Sequence, residues 1–233
     1  MPEPAGVVTV APTLDTAADE VLTRILDAAA TEFIRHGVRR TSIDTVARRA
    51  RVGRNTVFRR LGSKDELVRA VLTRHLHRLF ADLDRVVTAA AGPLDRVVAV
   101  FATTVTALRA DPMMRSALEE HPDEIVELTE FAGGELMRLS SAYVAGLLCA
   151  DRDSGNLSAG LDVEAVAETV VRLVHSIVLV PHLARPLESD AELRTFAAAV
   201  FRPHLEPATL AEIPGVVTGR NARGGVTKTR RDV

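Results

Sequence analysis

Apolar side chains recur at three- and four-residue steps along most of this chain, and no stretch of useful length alternates every second residue, so the pattern predicts helices and no strands. The first stripe, Val21, Leu22, Ile25, Leu26, Ala29, Phe33 and Ile34, starts near Asp19 and ends at Gly37. Residues 41–60 offer it a complementary inner face in Ile43, Val46, Ala47, Ala50, Val52, Val57 and Phe58. A break at 50–53 divides that segment into two short helices, the first opened by Thr41 as N-cap with Asp44 three residues on. A fourth helix opens at the capping pair Ser63 and Glu66 and runs through Leu67, Val68, Val71, Leu72, Leu76, Leu79, Phe80 and Leu83, long enough to join two domains.

Beyond Gly92 and Pro93 the helical period resumes in Val97, Val98, Phe101, Val105 and Leu108, breaks at Asp111 and Pro112, and returns through Met114 and Leu118. Pro122 opens a longer helix with the stripe Ile125, Leu128, Ala132, Leu136, Leu139, Tyr143 and Leu147, ending in the polar run 151–155. Two further helices are predicted over about 162–180 and 189–205. The expected fold class is all-α. Residues 1–18 are a flexible lead-in, 19–74 a three-helix domain, 75–205 a larger helical domain, and 206–233, with two prolines and four glycines, a flexible basic tail.

The net charge of −2 hides an uneven distribution. Residues 35–64 carry ten arginines and lysines against the single acid Asp44, whereas residues 75–205 carry 11 basic and 19 acidic side chains. Only the front end invites a polyanion. The hydrophobic content of 47% is ample for a core. No apolar run long enough to span a membrane stands uninterrupted by Arg, His or Pro, and no basic region followed by an apolar run opens the chain. One cysteine, Cys149, provides neither a disulfide partner nor a zinc or iron–sulfur spacing and fits a reducing cytoplasm.

Residues 39–72, RRTSIDTVARRARVGRNTVFRRLGSKDELVRAVL, combine two short helices and a tight turn with a second helix bearing Arg54, Asn55, Thr56, Arg59 and Arg60. A helix of this kind enters the major groove, where Arg and Asn donate to base edges and neighbouring cations meet phosphates. A solvated surface helix is the alternative for any charged face. The absence of acidic partners between Asp44 and Lys64, and the position before a long apolar connector, favour DNA recognition.

The segment resembles the TetR family of transcriptional regulators, whose pattern runs T-x-x-x-I-A-x-x-A-G-V-S-x-x-T-L-Y-x-x-F-x-S-K-x-x-L. Ser42, Val46, Ala47, Ala50, Val52, Thr56, Val57, Phe58, Leu61, Ser63, Lys64 and Leu67 match by identity or close substitution. The resemblance implies a helix-turn-helix in which Arg54, Asn55, Thr56, Arg59 and Arg60 lie on or beside the recognition helix, Arg54 and Asn55 being the first choice for base reading. It places Ser42, Phe58 and Lys64 at DNA-backbone positions. Four departures stand out: Arg51 for the usual turn glycine, Gly53 for an N-capping serine, Phe58 for tyrosine, and Gly62 where proline is common. Arg51 carries a steric cost if the turn demands positive φ, and Phe58 keeps the core ring without the hydroxyl.

For the larger domain the resemblance implies a pocket for a small-molecule effector and a symmetric homodimer through the last two major helices. Phe80, Phe101, Val105, Leu128, Leu136 and Tyr143 are the candidate pocket residues, and the low aromatic content, 3%, suits an aliphatic ligand. Val170, Val174, Ile177, Val200 and Phe201 are the candidate dimer residues, with internal packing as the alternative for either stripe. His75 and His77, two positions apart, point away from one another on a helix, and the remaining histidines are scattered, so neither a metal site nor a catalytic dyad is expected. No cofactor is expected. A repressor released from a double-stranded DNA operator by an effector is the reading, with a protein-interaction adaptor on the same fold as the alternative.

Overall fold

The structure is a computed structural model describing residues 16–121, 134–180 and 187–206. The expected lead-in and tail therefore lie largely outside the described residues, as does the first part of the helix expected from Pro122. Helices account for the described secondary structure. They are α1 (Thr16–Arg40), α2 (Ile43–Ala50), α3 (Arg54–Leu61), α4 (Lys64–Ala89), α5 (Pro93–Ala110), α6 (Pro112–Glu119), α7 (Gly134–Asp153), α8 (Val163–Leu179) and α9 (Asp190–Leu205).

The first four helices share one core. Ile25, Ala29 and Phe33 of α1 close on Val46 and Ala47 of α2, Val57 of α3, and Leu67 and Val71 of α4, all buried. Burial of each large aliphatic side chain contributes roughly 1.5–3 kcal/mol, which holds together helices of eight residues that would not persist alone. Regular helical geometry in α1 stops at Gly37, with φ 75° and ψ 164°, where the apolar stripe ends. The start precedes the expected Asp19 by three residues.

The α2 cap lies one residue later than expected. Ser42, not Thr41, is the N-cap: its hydroxyl accepts from the Thr45 amide at 3.2 Å, and the Thr45 hydroxyl accepts from the Ser42 amide at 3.1 Å. Thr41 is buried and donates to the Gly37 carbonyl at 2.7 Å, joining α2 to the bend ending α1. Sequence spacing leaves these two neighbouring hydroxyls equivalent, and the bend at Gly37 separates them.

Arg51 closes α2 in the left-handed region, φ 55° and ψ 46°, and its amide reaches the Ala47 and Arg48 carbonyls. It is the one non-glycine residue with positive φ among the described residues. A left-handed residue with a Cβ costs roughly 1–2 kcal/mol, against about 0.5–1 kcal/mol of extra chain entropy lost by glycine. Arg51→Gly is therefore expected to raise stability by up to about 1 kcal/mol, read as a higher urea midpoint at unchanged m-value. An unchanged or lower midpoint would show that the arginine makes a compensating contact.

The second core is organised around α5. Leu94, Val97, Val98, Ala99, Val100, Phe101, Ala102 and Val105 are buried, so most of its circumference is covered, the mark of a central helix. Its chief neighbour is α9, with α4 and α8 on other sides, while α7 lies along α8. Phe101 sits at the centre, 6.0 Å from the Phe196 ring and 6.1 Å edge-on from Phe201. Asp151 at the end of α7 is buried and paired with Arg96 of α5. Arg109 at the other end of α5 donates to the Leu187 carbonyl at 2.5 Å.

The two cores meet along α4, which is unbroken from Lys64 to Ala89, with Val71 in the first and Leu83 in the second. A second joint is α6, whose N-cap Asp111 accepts from the amides of Met113 and Met114, both at 2.9 Å. Met113 packs against the first core and Met114 against the second. The Ser116 hydroxyl donates to the Ile34 carbonyl of α1 at 2.8 Å.

Candidate nucleic-acid interface and ligand cavity

The recognition helix begins at Gly53, whose extended φ of −70° needs no glycine and which supplies no side-chain cap. It turns Val57 into the core and leaves Arg54, Asn55, Arg59 and Arg60 exposed, with Thr56 half-buried. Three of these four exposed side chains are arginines. Ser42 is exposed at the start of α2 and Lys64 half-buried at the start of α4. The Lys64 ammonium donates to the Arg39 carbonyl at 3.0 Å, which anchors it at the end of α1 while two N–H groups remain. Ser63 caps α4 by accepting from the Glu66 amide at 3.1 Å. Gly62 between the helices has φ 69°, a conformation closed to proline, and a Cβ there would meet the Glu66 carboxylate.

Phe58 departs from expectation. It is not an inner ring: 38% of it is exposed, and the inward positions of the helix belong to Val57, fully buried, and Leu61, which packs against the same core. Adjacent helical positions are about 100° apart, so an eight-residue helix packed through Val57 must turn its neighbour outward. The exposed ring carries the Arg54 guanidinium 5.2 Å above its centre. Arg54 Nη1 also lies 2.7 Å from Asp44 Oδ2, so the leading base-reading candidate is held between a carboxylate on α2 and a ring on its own helix. Both partners of the ion pair are more than half exposed, and exposed pairs contribute only about 0–1 kcal/mol, so the tether orients Arg54 without locking it. Asp44 was legible as the lone acid of the segment, but its partner was not, because ten residues separate them in sequence.

A cavity of about 490 Å³ lies between α4, α5, α6, α7 and α8. Of the expected pocket residues, Phe80, Leu136 and Tyr143 line it. Phe101 and Val105 do not: both are fully buried on the faces of α5 turned toward the closed core. Leu128 lies outside the described residues. Phe80 and Tyr143 stack at 4.5 Å with 6° between their planes, and the Tyr143 hydroxyl donates to Asp84 at 2.8 Å. Burial and the neighbouring Asp84 carboxylate both push that phenol well above its ordinary value.

Polar residues absent from the sequence-based set also reach the cavity: His75, Thr104, Asp111 and His175. His75 Nδ1 is 3.3 Å from Asp111 Oδ2. Burial alone would raise the Asp111 carboxyl, but hydrogen bonds from His75 and from the Met114 and Met113 amides outweigh it and hold the group below its usual range. Burial lowers His175 and favours neutral imidazole. Scattered histidines carry no spacing signal, and only the placement of α4, α6 and α8 around α5 brings these together.

The expected dimer residues need correction. Val170, Val174, Ile177 and Phe201 are buried in the chain's own second core, and Val200 is half-buried against it. Val170 and Val174 also line the cavity. Their apolar stripes are the inner faces of α8 and α9, because α5 and α7 already occupy them. Among the described residues no cluster of His, Cys, Asp and Glu is arranged for a metal ion, and no single helix is long and apolar enough to cross a membrane.

Residues 25–71 match the family described as bacterial regulatory proteins, tetR family. An uncharacterised HTH-type transcriptional regulator of Mycobacterium tuberculosis is 28% identical over 172 residues, covering 74% of this chain and 87% of its own length. An HTH-type transcriptional repressor of the same species is 42% identical over 71 residues, 28% of this chain and 38% of its own. Among solved structures, the Rhodococcus erythropolis repressor QsdR, from the TetR family, shares the fold with a TM-score of 0.57 at 24% identity, over 83% of this chain and 96% of QsdR.

A basic helix-turn-helix carried by a larger helical domain, with these relatives, defines a DNA-binding transcriptional regulator. Its helix-turn-helix domain is that of the TetR family of regulators.

Proposed function

We propose that this regulator works in the cytoplasm as a homodimeric repressor that binds a partly palindromic operator and leaves it when a small molecule enters the cavity between α4 and α8. The observation that carries the reading is the arrangement of α6. Its cap residue Asp111 lines the cavity while Ser116, on the same helix, is bonded to α1 of the DNA-binding unit. A ligand that fits only one placement of α6 and α4 biases the placement of the recognition helix, and operator affinity then falls by linkage. Arg54 and Asn55 read bases, while Ser42, Thr56, Phe58, Arg59, Arg60 and Lys64 position the helix on the backbone.

The face left for a second copy is the outer side of α8 and α9. Ala165, Thr169 and Ser176 lie exposed along one helix, at steps of four and seven, and Ala191, Thr195 and Ala199 along the other, at steps of four. Small side chains permit the close approach a four-helix interface needs. Two-fold symmetry would then present two recognition helices to an inverted repeat.

Selection of bound fragments from the source genome by the purified protein tests the reading. An enriched inverted motif near promoters, with transcription rising when the protein is removed, is the expected result. Sequence-independent retention by a folded dimer at moderate salt would sink operator recognition. Transcription that falls on removal would make the protein an activator.

A further inference from the structure

We infer that the cavity is built for an uncharged, largely apolar molecule whose one polar end is read by the imidazoles of His75 and His175. This rests on the reading of the cavity as the effector site and adds the chemical class of its occupant.

The walls are chiefly aliphatic and thioether side chains, among them Leu76, Leu79, Val100, Met114 and Val174. The acids among the described lining residues already have partners. Asp111 receives His75 and two backbone amides. Asp82 holds Arg85 at 2.7 Å. Arg78 is the only lysine or arginine among the described lining residues; it is 60% exposed and faces Asp27 at 4.0 Å.

An anionic head beside His75 and His175 would lose its hydration and meet no buried lysine or arginine among the described lining residues, Arg78 being 60% exposed, and moving an unpaired carboxylate out of water is far costlier than moving a hydroxyl. A cationic head would meet Asp111, whose oxygens already accept from three donors. The His75–Asp111 pair is neutral or negative whichever form His75 takes, so it offers no net positive site. Burial keeps His175 neutral, with one nitrogen to donate and one to accept. A hydroxyl, carbonyl or ether matches this pair, and about 490 Å³ falls in the range of ordinary small-molecule sites.

Calorimetric titration of the full chain with 1-decanol, decanoate and decylammonium, each below its micellar limit, decides the matter. Decanol is expected to bind at least about tenfold more tightly than either ion, because the ions carry an uncompensated desolvation cost. Ala107→Leu, which extends an existing wall residue into the space, is expected to abolish decanol binding. His175→Leu should weaken decanol by about fivefold or more, since one hydrogen bond is lost. Cooperative thermal unfolding of both variants establishes that they are folded. An ion binding as tightly as decanol, decanol binding untouched by both replacements, or no binding of any probe would overturn the proposal. Operator release is read separately by adding decanol to the protein–DNA complex. Binding without release would leave the ligand class standing and overturn the release mechanism instead.

Discussion

Replacing Arg54 by Ala is expected to cost about 1–3 kcal/mol of discrimination between the operator and a site mismatched at the contacted base pair, and Asn55→Ala the same at a neighbouring position. Arg59→Ala and Arg60→Ala should instead weaken matched and mismatched sites alike and lower the salt slope by about one unit each. Competition binding on matched and single-mismatch duplexes at several salt concentrations separates the two classes. Asp44→Ala gives the opposite pattern to a phosphate contact: total affinity rises, because a carboxylate is removed from beside the phosphates. Discrimination at the Arg54 position falls, because the guanidinium loses the partner 2.7 Å away that orients it. Unchanged discrimination in the Arg54 variant would move base reading to other exposed residues of α3.

Phe201→Glu is expected to destabilise the fold rather than to split a dimer. Phe201 is fully buried against Phe101, and Glu there both empties an aromatic site and buries an unpaired charge, a loss of about 3–5 kcal/mol from a domain whose whole stability is about 5–15 kcal/mol. Ala199→Arg, on the exposed side of the same helix, should leave helicity and cooperative unfolding intact while shifting the protein to monomer. Circular dichroism and sedimentation velocity over a concentration series distinguish these outcomes. A well-folded monomer from Phe201→Glu would place that ring at the subunit interface. A dimer unmoved by Ala199→Arg would reject the outer face of α8 and α9.

Much of the architecture was legible in the chain itself. Helix identity followed from three- and four-residue periodicity, and α8 and α9 start within a residue of the expected 162 and 189, where the structure shows Asp162 and Ser189 as N-caps. The basic charge of the helix-turn-helix was legible as composition, ten cations against one acid over residues 35–64. The left-handed turn at Arg51 was anticipated only as a condition, through the resemblance, whose pattern carries glycine at that position; the structure meets it with φ 55°.

What an apolar stripe packs against was not legible. Val170, Val174 and Phe201 have the same periodicity whether they meet a second subunit or α5, and only the tertiary structure, by placing α5 at the centre, assigns them inward. Phe58 turned out exposed for a related reason: an eight-residue helix holds one narrow inner face, and the choice between adjacent positions is set by how it packs on α2 and α4. The joining of His75 to Asp111 and the tether of Arg54 to Asp44 span 36 and ten positions. Local pattern carries what is decided within a turn or two of helix, whereas pairings across the fold depend on how rigid elements meet, and those belong to the packed structure alone.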